Sequence, residues 1–228
     1  MNSQQLLRLH AVLSTLALVF LFTTGASDAP KSAVFDKITV RQIDVVDSVD
    51  RVRVQLAGEY GPRRTDLSGL LFHNEDGNEA GGLVYSGKKD ENGVINAGAI
   101  LTFDQYGEDQ IMSIQYAHRG DVKRTGMTIS DRPDEMGENL AAFYRAFAAA
   151  KTPEEQARLR REVLPTIPRE ELPASRLYFG RTQDNASTIN LYDPQGRVRL
   201  KMEVNENGVP RIEFFDAEGE SIKKISVE

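Results

Sequence analysis

The sequence predicts a mainly β protein: an antiparallel β-hairpin meander of about twelve strands that curls into a barrel or folds as a sandwich, with a small two-helix insert. Two observations lead to this fold class. A short turn with Asp near its start and Gly at its end recurs along the chain, and the segments between these turns alternate apolar and polar residues. A third observation is a single switch to helical spacing, at about residues 134–173.

The recurring turn consists of an aromatic or aliphatic residue, Asp, two variable residues and Gly. It occurs at Tyr192–Gly196, Phe215–Gly219 and Phe103–Gly107, and a form one residue longer occurs at Phe72–Gly77. An Asp at the start of a turn can accept hydrogen bonds from the backbone N–H groups ahead of it, and Gly tolerates a positive φ at the end. We therefore expect hairpin loops here, with positive φ at Gly196 and Gly219.

The segment that begins at Asp193 in one of these turns matches a segment near the start of the β region. Asp47–Leu56 aligns with Asp193–Met202 position by position, with Asp50 in place of Gly196. In Arg197–Val204 every second residue is apolar, which gives a strand one apolar face and one polar face that contacts solvent. These pairings predict β-hairpins rather than isolated turns.

The same alternation predicts the strands in order. They are expected at Phe35–Val46, Arg51–Gly58, Gly69–His73, Gly82–Ser86, Ala97–Asp104, Gln110–Ala117, Val122–Ser130, Arg176–Thr182, Thr188–Asp193, Arg197–Val204, Arg211–Asp216 and Ser221–Val227.

The insert interrupts this pattern. Residues 138–150 place Leu140, Phe143, Tyr144 and Phe147 at helical spacing, which predicts a helix with a core-facing aromatic stripe. Thr152-Pro153-Glu154-Glu155 is typical of a second helix start, with Thr as the N-cap and Pro in the first turn. The insert is expected to cover an open end or an edge of the sheet.

A meander of this length needs a way to cover its apolar face, and a barrel or a sandwich would each do so. A solenoid is disfavoured because the turns are irregularly spaced: Asp193 and Asp216 are 23 residues apart, whereas Asp47 and Asp76 are 29 apart. We expect Val52, Val54, Leu56, Val198, Leu200, Met202 and Val204 to form a packed aliphatic face.

The N-terminal sequence predicts that the protein is located outside the cytoplasm. Arg8 and His10 precede an apolar run of about sixteen residues that ends at Ala26, and residues 27–34 are polar enough for a linker. Residues 1–26 are thus either a cleaved signal peptide or a membrane anchor with its start in the cytoplasm. The β domain is expected to span 35–228, in the periplasm or tethered to the inner membrane.

Composition narrows the function classes. The chain of 228 residues has a net charge of −6 and a pI near 5.3, without a basic stripe, so nucleic acid is a poor partner. It contains no cysteine, which removes disulfides, thiolate catalysis and cysteine zinc sites.

A search for chemistry predicts no catalytic residue, no metal ligand set and no cofactor. Nucleophile elbows, phosphate-binding loops and paired metal-binding histidines are missing from the sequence. His73 and His118 fall in or near predicted turns, and the carboxylates at the turns are interpreted as turn-forming. The oxygen-rich stretch 74–79 lacks the ligand spacing of an EF-hand.

The best surface candidate for binding is a single hairpin tip. It comprises Asp104, Gln105, Tyr106, Asp109 and Gln110. A turn does not need a tyrosine, and tyrosine is favoured in recognition surfaces because it is amphipathic. The structural alternative is that Tyr106 folds back over its own hairpin.

Several phrases resemble landmarks of a group of uncharacterised bacterial proteins, exported or membrane-anchored and built from Asp-x-x-Gly hairpins. These phrases are Phe35–Val40, Gly77–Leu83, Leu101–Gln110, Ser130–Pro133 and Gly180–Thr182. The resemblance covers nearly the whole chain after residue 34. It implies a bacterial origin and an extracytoplasmic address, and it brings no activity or site residues.

Two functional classes follow. The first is a non-catalytic envelope protein that acts as an interaction or scaffold module, with an envelope protein or another surface component as its partner. The second is a ligand-binding or enzymatic barrel with an interior small-molecule site, which would need polar or aromatic groups converging on a pocket. The aliphatic character of the strands favours the first.

Overall fold

The computed structural model describes residues 3–5, 10, 14–15, 32–60 and 66–226. The chain divides into two compact units, residues 1–40 and 41–228, and each is considered by itself. In the first unit, residues 3–5, 10 and 14–15 are helical, and residues 32–40 have no regular structure. Most of the predicted signal or anchor segment 1–26 and of the linker 27–34 lies outside the described residues.

Within its described residues, the second unit contains twelve strands and two α-helices. The strands are β1 (Gln42–Val46), β2 (Val52–Ala57), β3 (Leu67–His73), β4 (Glu79–Lys89), β5 (Ile95–Asp104), β6 (Gln110–Arg119), β7 (Val122–Asp131), β8 (Ala174–Arg181), β9 (Ser187–Tyr192), β10 (Val198–Val204), β11 (Pro210–Phe215) and β12 (Ser221–Ser226). The helices are α1 (Glu138–Ala149) and α2 (Pro153–Glu162), followed by short 3₁₀ turns at Leu164–Thr166 and Arg169–Glu171.

All twelve strands form one antiparallel sheet in chain order, from β1 at one edge to β12 at the other. The predicted meander of about twelve strands with a two-helix insert is thereby confirmed. The barrel alternative is wrong, because β1 and β12 do not pair and the sheet remains open. A barrel needs its first and last strands to meet in register, and here each pairs with one neighbour only.

The largest disagreement in strand bounds is at the start. The sequence predicts a strand from Phe35, yet β1 begins at Gln42. The apolar residues Ile38 and Val40 alternate, but the spacing slips before Ile43, so one strand could not keep all of them on one face. Val34, Phe35, Ile38 and Val40 are all exposed.

The insert has a small core of its own. Leu140, Phe143 and Ile167 are buried together, with Phe147, Leu159, Leu164 and Leu172 packed against them. Thr152 caps α2 as predicted, because its hydroxyl accepts a hydrogen bond from the Glu155 N–H at 3.1 Å. The insert connects β7 to β8, two central strands, and its Arg169 Nε donates to the Gln195 carbonyl in the β9–β10 turn. The expectation that it covers an edge is wrong, since every residue of β1 and β12 is exposed, and the alternative that it covers an open end remains a prediction.

The predicted turn chemistry is confirmed at Tyr192–Gly196 and Phe215–Gly219. Asp193 Oδ1 accepts from the N–H groups of Gln195 and Arg197, and Asp216 Oδ1 accepts from the corresponding Glu218 and Glu220. Gly196 and Gly219 have φ values of 73° and 88°. These side-chain bonds hold each turn closed while the glycine reverses the chain.

The hairpin at Phe103–Gly107 differs by one position. Its turn bonds join the Gln105 N–H to the Asp109 carbonyl and the Glu108 N–H to the Gln105 carbonyl. Gln105 therefore takes the place that Asp193 has in its own turn, and Asp104 becomes the last residue of β5. A motif that looks like the others in sequence thus leaves its aspartate without a turn to cap.

The matching segments Asp47–Leu56 and Asp193–Met202 adopt the same contacts. Asp47 Oδ2 lies 2.9 Å from Arg51 Nε, and Asp193 Oδ2 lies 2.8 Å from Arg197 Nε. Each arginine also donates to a carbonyl of the next hairpin, Arg51 to Glu75 and Arg197 to Ala217. Each of these arginines therefore ties its hairpin to the following one.

Register shifts occur along only one margin of the sheet, the line of strand ends at which β1 connects to β2. We call it the bulged margin. Each of the six pairs that meet there, β1–β2, β3–β4, β5–β6, β7–β8, β9–β10 and β11–β12, contains one bulge or irregularity. The five pairs joined at the opposite margin contain none. Bulges bend a strand and increase its local twist.

Candidate binding surfaces

One residue from each strand lies in a single register row across the whole sheet, and all twelve are large and apolar. This apolar row consists of Ile43, Leu56, Leu70, Leu83, Leu101, Ile114, Met127, Phe179, Ile189, Met202, Ile212 and Ile225. Residues in register share one face of a sheet, so the row is a continuous ridge of apolar side chains.

A second row runs parallel to it, two residues nearer the bulged margin on the same face. It consists of Val45, Val54, Phe72, Gly81, Phe103, Met112, Ile129, Leu177, Leu191, Leu200, Phe214 and Lys223. With strands ~4.8 Å apart and residues ~3.3 Å apart, the two rows cover on the order of 750 Å². We refer to this surface as the apolar face.

The apolar face is open to solvent. Phe179 is 55% exposed and Ile114 47% exposed, although both lie at the centre of the sheet. The expected packed aliphatic face is therefore wrong, since Leu56, Met202 and Val204 are also exposed. The alternation in the sequence correctly gives the face of these residues, but it does not tell whether anything covers that face.

An open groove of about 1280 Å³ runs along the apolar row on this face, from Leu83 in β4 to Ile225 in β12. Eight strand spacings separate these residues, so the groove is ~38 Å long. On its other side it is lined by smaller or polar side chains, among them Ala99, Thr125 and Ser187. The groove therefore runs between the apolar row and a mixed row that also includes Tyr116 and Arg181.

The opposite face is polar and closely packed. At its centre Gly126 lies opposite Gly180, and the ring of Tyr178 lies over Gly126. The Tyr178 hydroxyl donates to the Arg181 carbonyl at 3.1 Å, and the Arg124 guanidinium carbon lies 5.0 Å from the ring centroid. Further along, Glu203 is buried and forms ion pairs with Lys201 and Arg211.

The five predicted binding residues lie together at the β5–β6 tip, but most of them make structural contacts. Gln105 donates to the Pro133 carbonyl at 3.1 Å. Asp109 forms an ion pair of 3.1 Å with Arg132, which also donates to the Gln110 carbonyl. These bonds attach the tip to the segment that leads into the insert, and binding at this tip remains a prediction.

Tyr106 follows neither of the two expected arrangements fully. It is 62% exposed, and its hydroxyl donates to Asp76 Oδ2 at 2.6 Å, in the neighbouring β3–β4 turn. This hydrogen bond to Asp76 raises the Tyr106 pKa to about 12. The side chain thus bridges two hairpin tips while its ring remains accessible.

Asp104 carries the largest acid–base perturbation at this tip. Desolvation, reinforced by the negative charges of Asp109 and Glu79, raises its pKa to about 6. Its buried Oδ1 has no hydrogen-bond partner. The missing partner follows from the shifted turn: Asp193 Oδ1 accepts hydrogen bonds from two backbone N–H groups of its own turn, whereas no such bond reaches Asp104 Oδ1.

We expect Asp104→Asn to stabilise the protein above pH 6. The pKa of Asp104 is higher in the folded than in the unfolded chain, where it is ~4. Its contribution to the free energy of unfolding is therefore favourable below pH ~4 and is lost as the pH rises through about 6. After allowance for solvent screening, the melting temperature should rise by about 2 °C at pH 7. Thermal melts between pH 4 and pH 7 check this, and a gain that is equal at both ends would contradict it.

The two histidines of the β unit, His73 and His118, lie in different strands, β3 and β6. His73 ends β3, and its backbone carbonyl accepts from Arg53 Nε at 3.2 Å. His118 lies near Tyr116, with 6.3 Å between ring centroids. Within the part of the chain that the structure describes, no three His, Asp or Glu side chains are grouped to hold a metal ion.

The described residues include no helix that is long and apolar enough to cross a membrane. The apolar run that ends at Ala26 lies almost entirely outside them, so the predicted address remains a prediction.

No protein-family model and no curated protein sequence matches this chain.

Proposed function

We propose that the chain is a non-catalytic, extracytoplasmic envelope protein that serves as an interaction or scaffold module and binds a partner protein through its apolar face. The observation that carries this proposal is the unbroken apolar row across twelve strands, of which seven members are exposed and none is buried. The export part rests on the basic start and the apolar run of residues 1–26.

The size of the apolar face supports a protein partner. The largest apolar patch on a typical monomer measures ~300–600 Å², and stable interfaces bury ~800 Å² on each partner. The two rows, at on the order of 750 Å², come close to the second value. A partner that presents an apolar or amphipathic surface of similar length would remove both rows from water.

The groove supports a second candidate, the binding of an apolar small molecule. Its volume of about 1280 Å³ exceeds the ~300–1,000 Å³ of common ligand pockets. However, such pockets enclose most of their ligand, and this groove lies open along the face of the sheet. We therefore prefer the protein partner.

We expect Ile114→Glu to abolish partner binding while it leaves the fold intact. Ile114 lies in the middle of the apolar row and is already about half exposed, so the free energy of unfolding should change by about 1 kcal/mol or less. In a complex the new carboxylate would be buried without a counter-charge, so capture of the partner from a membrane extract should fall at least about tenfold.

The matched control is Gln115→Glu, which adds the same charge at the next residue, on the polar face of β6. It should leave capture unchanged. Equal capture by both variants would contradict the proposal, and direct binding of a fatty-acid probe by the purified protein, lost in Ile114→Glu, would favour the small-molecule candidate instead.

A further inference from the structure

Both edges of the sheet are free among the described residues. β1 has a partner only in β2, and β12 has a partner only in β11, so each has one unpaired side of backbone N–H and C=O groups. Every residue of both strands is exposed. Such edges are ready to pair with another strand, and neither strand contains a proline that would prevent it.

The two edges fit one another in register. The apolar row begins at Ile43 in β1 and ends at Ile225 in β12. If β12 of one copy pairs with β1 of the next so that Ile225 lies opposite Ile43, the apolar row continues from copy to copy without a break. The second row then continues as well, with Lys223 opposite Val45.

The hydrogen-bond pattern also carries across this junction. In an antiparallel sheet, successive pairs along a row alternate between hydrogen-bonded and non-hydrogen-bonded. The row crosses twelve strands, an even number, so the pairs Ile43–Leu56 and Ile212–Ile225 are of the same type. On their unpaired sides, Ile43 and Ile225 therefore also share one type, hydrogen-bonded or non-hydrogen-bonded. The two residues can thus face each other as a regular antiparallel pair.

The charged residues of the two edge strands favour the pairing of β12 with β1 over the pairing of β12 with a second β12. Asp44 and Lys224 stand at the two ends of one register row on the polar face, and the junction places them opposite each other. Opposite charges on directly facing residues stabilise a strand pair, whereas like charges oppose it. Pairing β12 with a second β12 would bring together Lys223 and Lys224 of both copies.

We propose that copies of this chain associate head to tail, with the β12 edge of one copy paired to the β1 edge of the next. The contact is heterologous, so it produces assemblies larger than a dimer, either rings or open filaments. It extends the apolar face from one copy to the next, and it does not depend on the partner binding proposed above.

Cysteine cross-linking of the full chain tests the register. The chain has no cysteine, so Ile43→Cys combined with Ile225→Cys introduces the only thiols. Facing residues in antiparallel strands have Cα atoms ~4.5–5.5 Å apart, within the range of a disulfide. Oxidation should give a ladder of covalent oligomers, since Asp44 and Lys224 are both kept in this variant.

The control is Ile43→Cys combined with Ser226→Cys, which moves one thiol to the opposite face of β12. It should give far less cross-linking. Equal ladders from both pairs, or a covalent dimer from Ile43→Cys alone, would overturn the proposed pairing. So would a wild-type chain that sediments as a monomer at concentrations up to about 1 mM, where even weak contacts form.

Charge reversal tests the same contact without cysteines. Lys224→Glu and Asp44→Lys should each raise the concentration needed for assembly about tenfold, a change of ~1.4 kcal/mol. An equal mixture of the two variants should recover assembly. At one junction the introduced glutamate of the first variant faces the introduced lysine of the second, and at the next junction the native Lys224–Asp44 pair forms. A mixture that assembles no better than either variant alone would overturn the proposal.

Discussion

Gly180→Ala should destabilise the protein by about 3 kcal/mol or more. A Cβ at residue 180 would lie 2.2 Å from the Thr125 carbonyl oxygen and 2.5 Å from the Gly126 Cα. Both are backbone atoms of β7, so the clash can be relieved only if β7 and β8 separate. Chemical denaturation should show the loss, with a melting temperature lower by about 10 °C.

Gly219→Ala is the control for this variant. Nothing lies within 4 Å of the added Cβ there, and the remaining cost is the positive φ of 88°, about 1 kcal/mol. If the two variants lose the same free energy of unfolding, the close approach of β7 and β8 is not what Gly180 provides.

Phe143→Ala should open the insert and leave the sheet folded. Phe143 is 6% exposed in a core of very few residues, and truncation of a buried phenylalanine costs about 3–5 kcal/mol. So small a core cannot absorb such a loss. Limited proteolysis should therefore cut within residues 138–172, while the β-sheet signal in circular dichroism is retained.

Tyr144→Ala is the matched control, since Tyr144 is the adjacent aromatic residue of α1 and is 41% exposed. It should change protease resistance little. Loss of the β-sheet signal in Phe143→Ala would mean that the sheet depends on the insert for its stability.

The order of the strands is predictable from the sequence because each strand and turn follows from local chemistry. Alternating residues, Asp at the turn start and Gly at the turn end all act within a few residues of each other. The turn at Gln105 shows the limit of this local information. Phe103–Gly107 matches the motif, yet the turn forms one residue later, and only the pairing of β5 with β6 reveals the shift.

The candidate surface could not be predicted in the same way. The apolar row joins residues as far apart as Ile43 and Ile225, and its continuity depends on the register of eleven strand pairs. The sequence pattern draws attention to the turns, and therefore to Tyr106, as the place where a partner would bind. Phe179 is exposed because no other element covers it, and a local sequence pattern does not indicate whether a residue is covered.

The bulges at one margin also bear on how the chain folds. A bulge in each hairpin there fixes which residues face each other, so a one-residue slip would be corrected within that hairpin. Every pair except β7–β8 joins strands separated by a short connection, and loop closure is least costly for short loops. Contacts this local are associated with fast folding. The sheet can thus grow hairpin by hairpin from a nucleus, and β7–β8, which must wait for the insert, is expected to be the slow step.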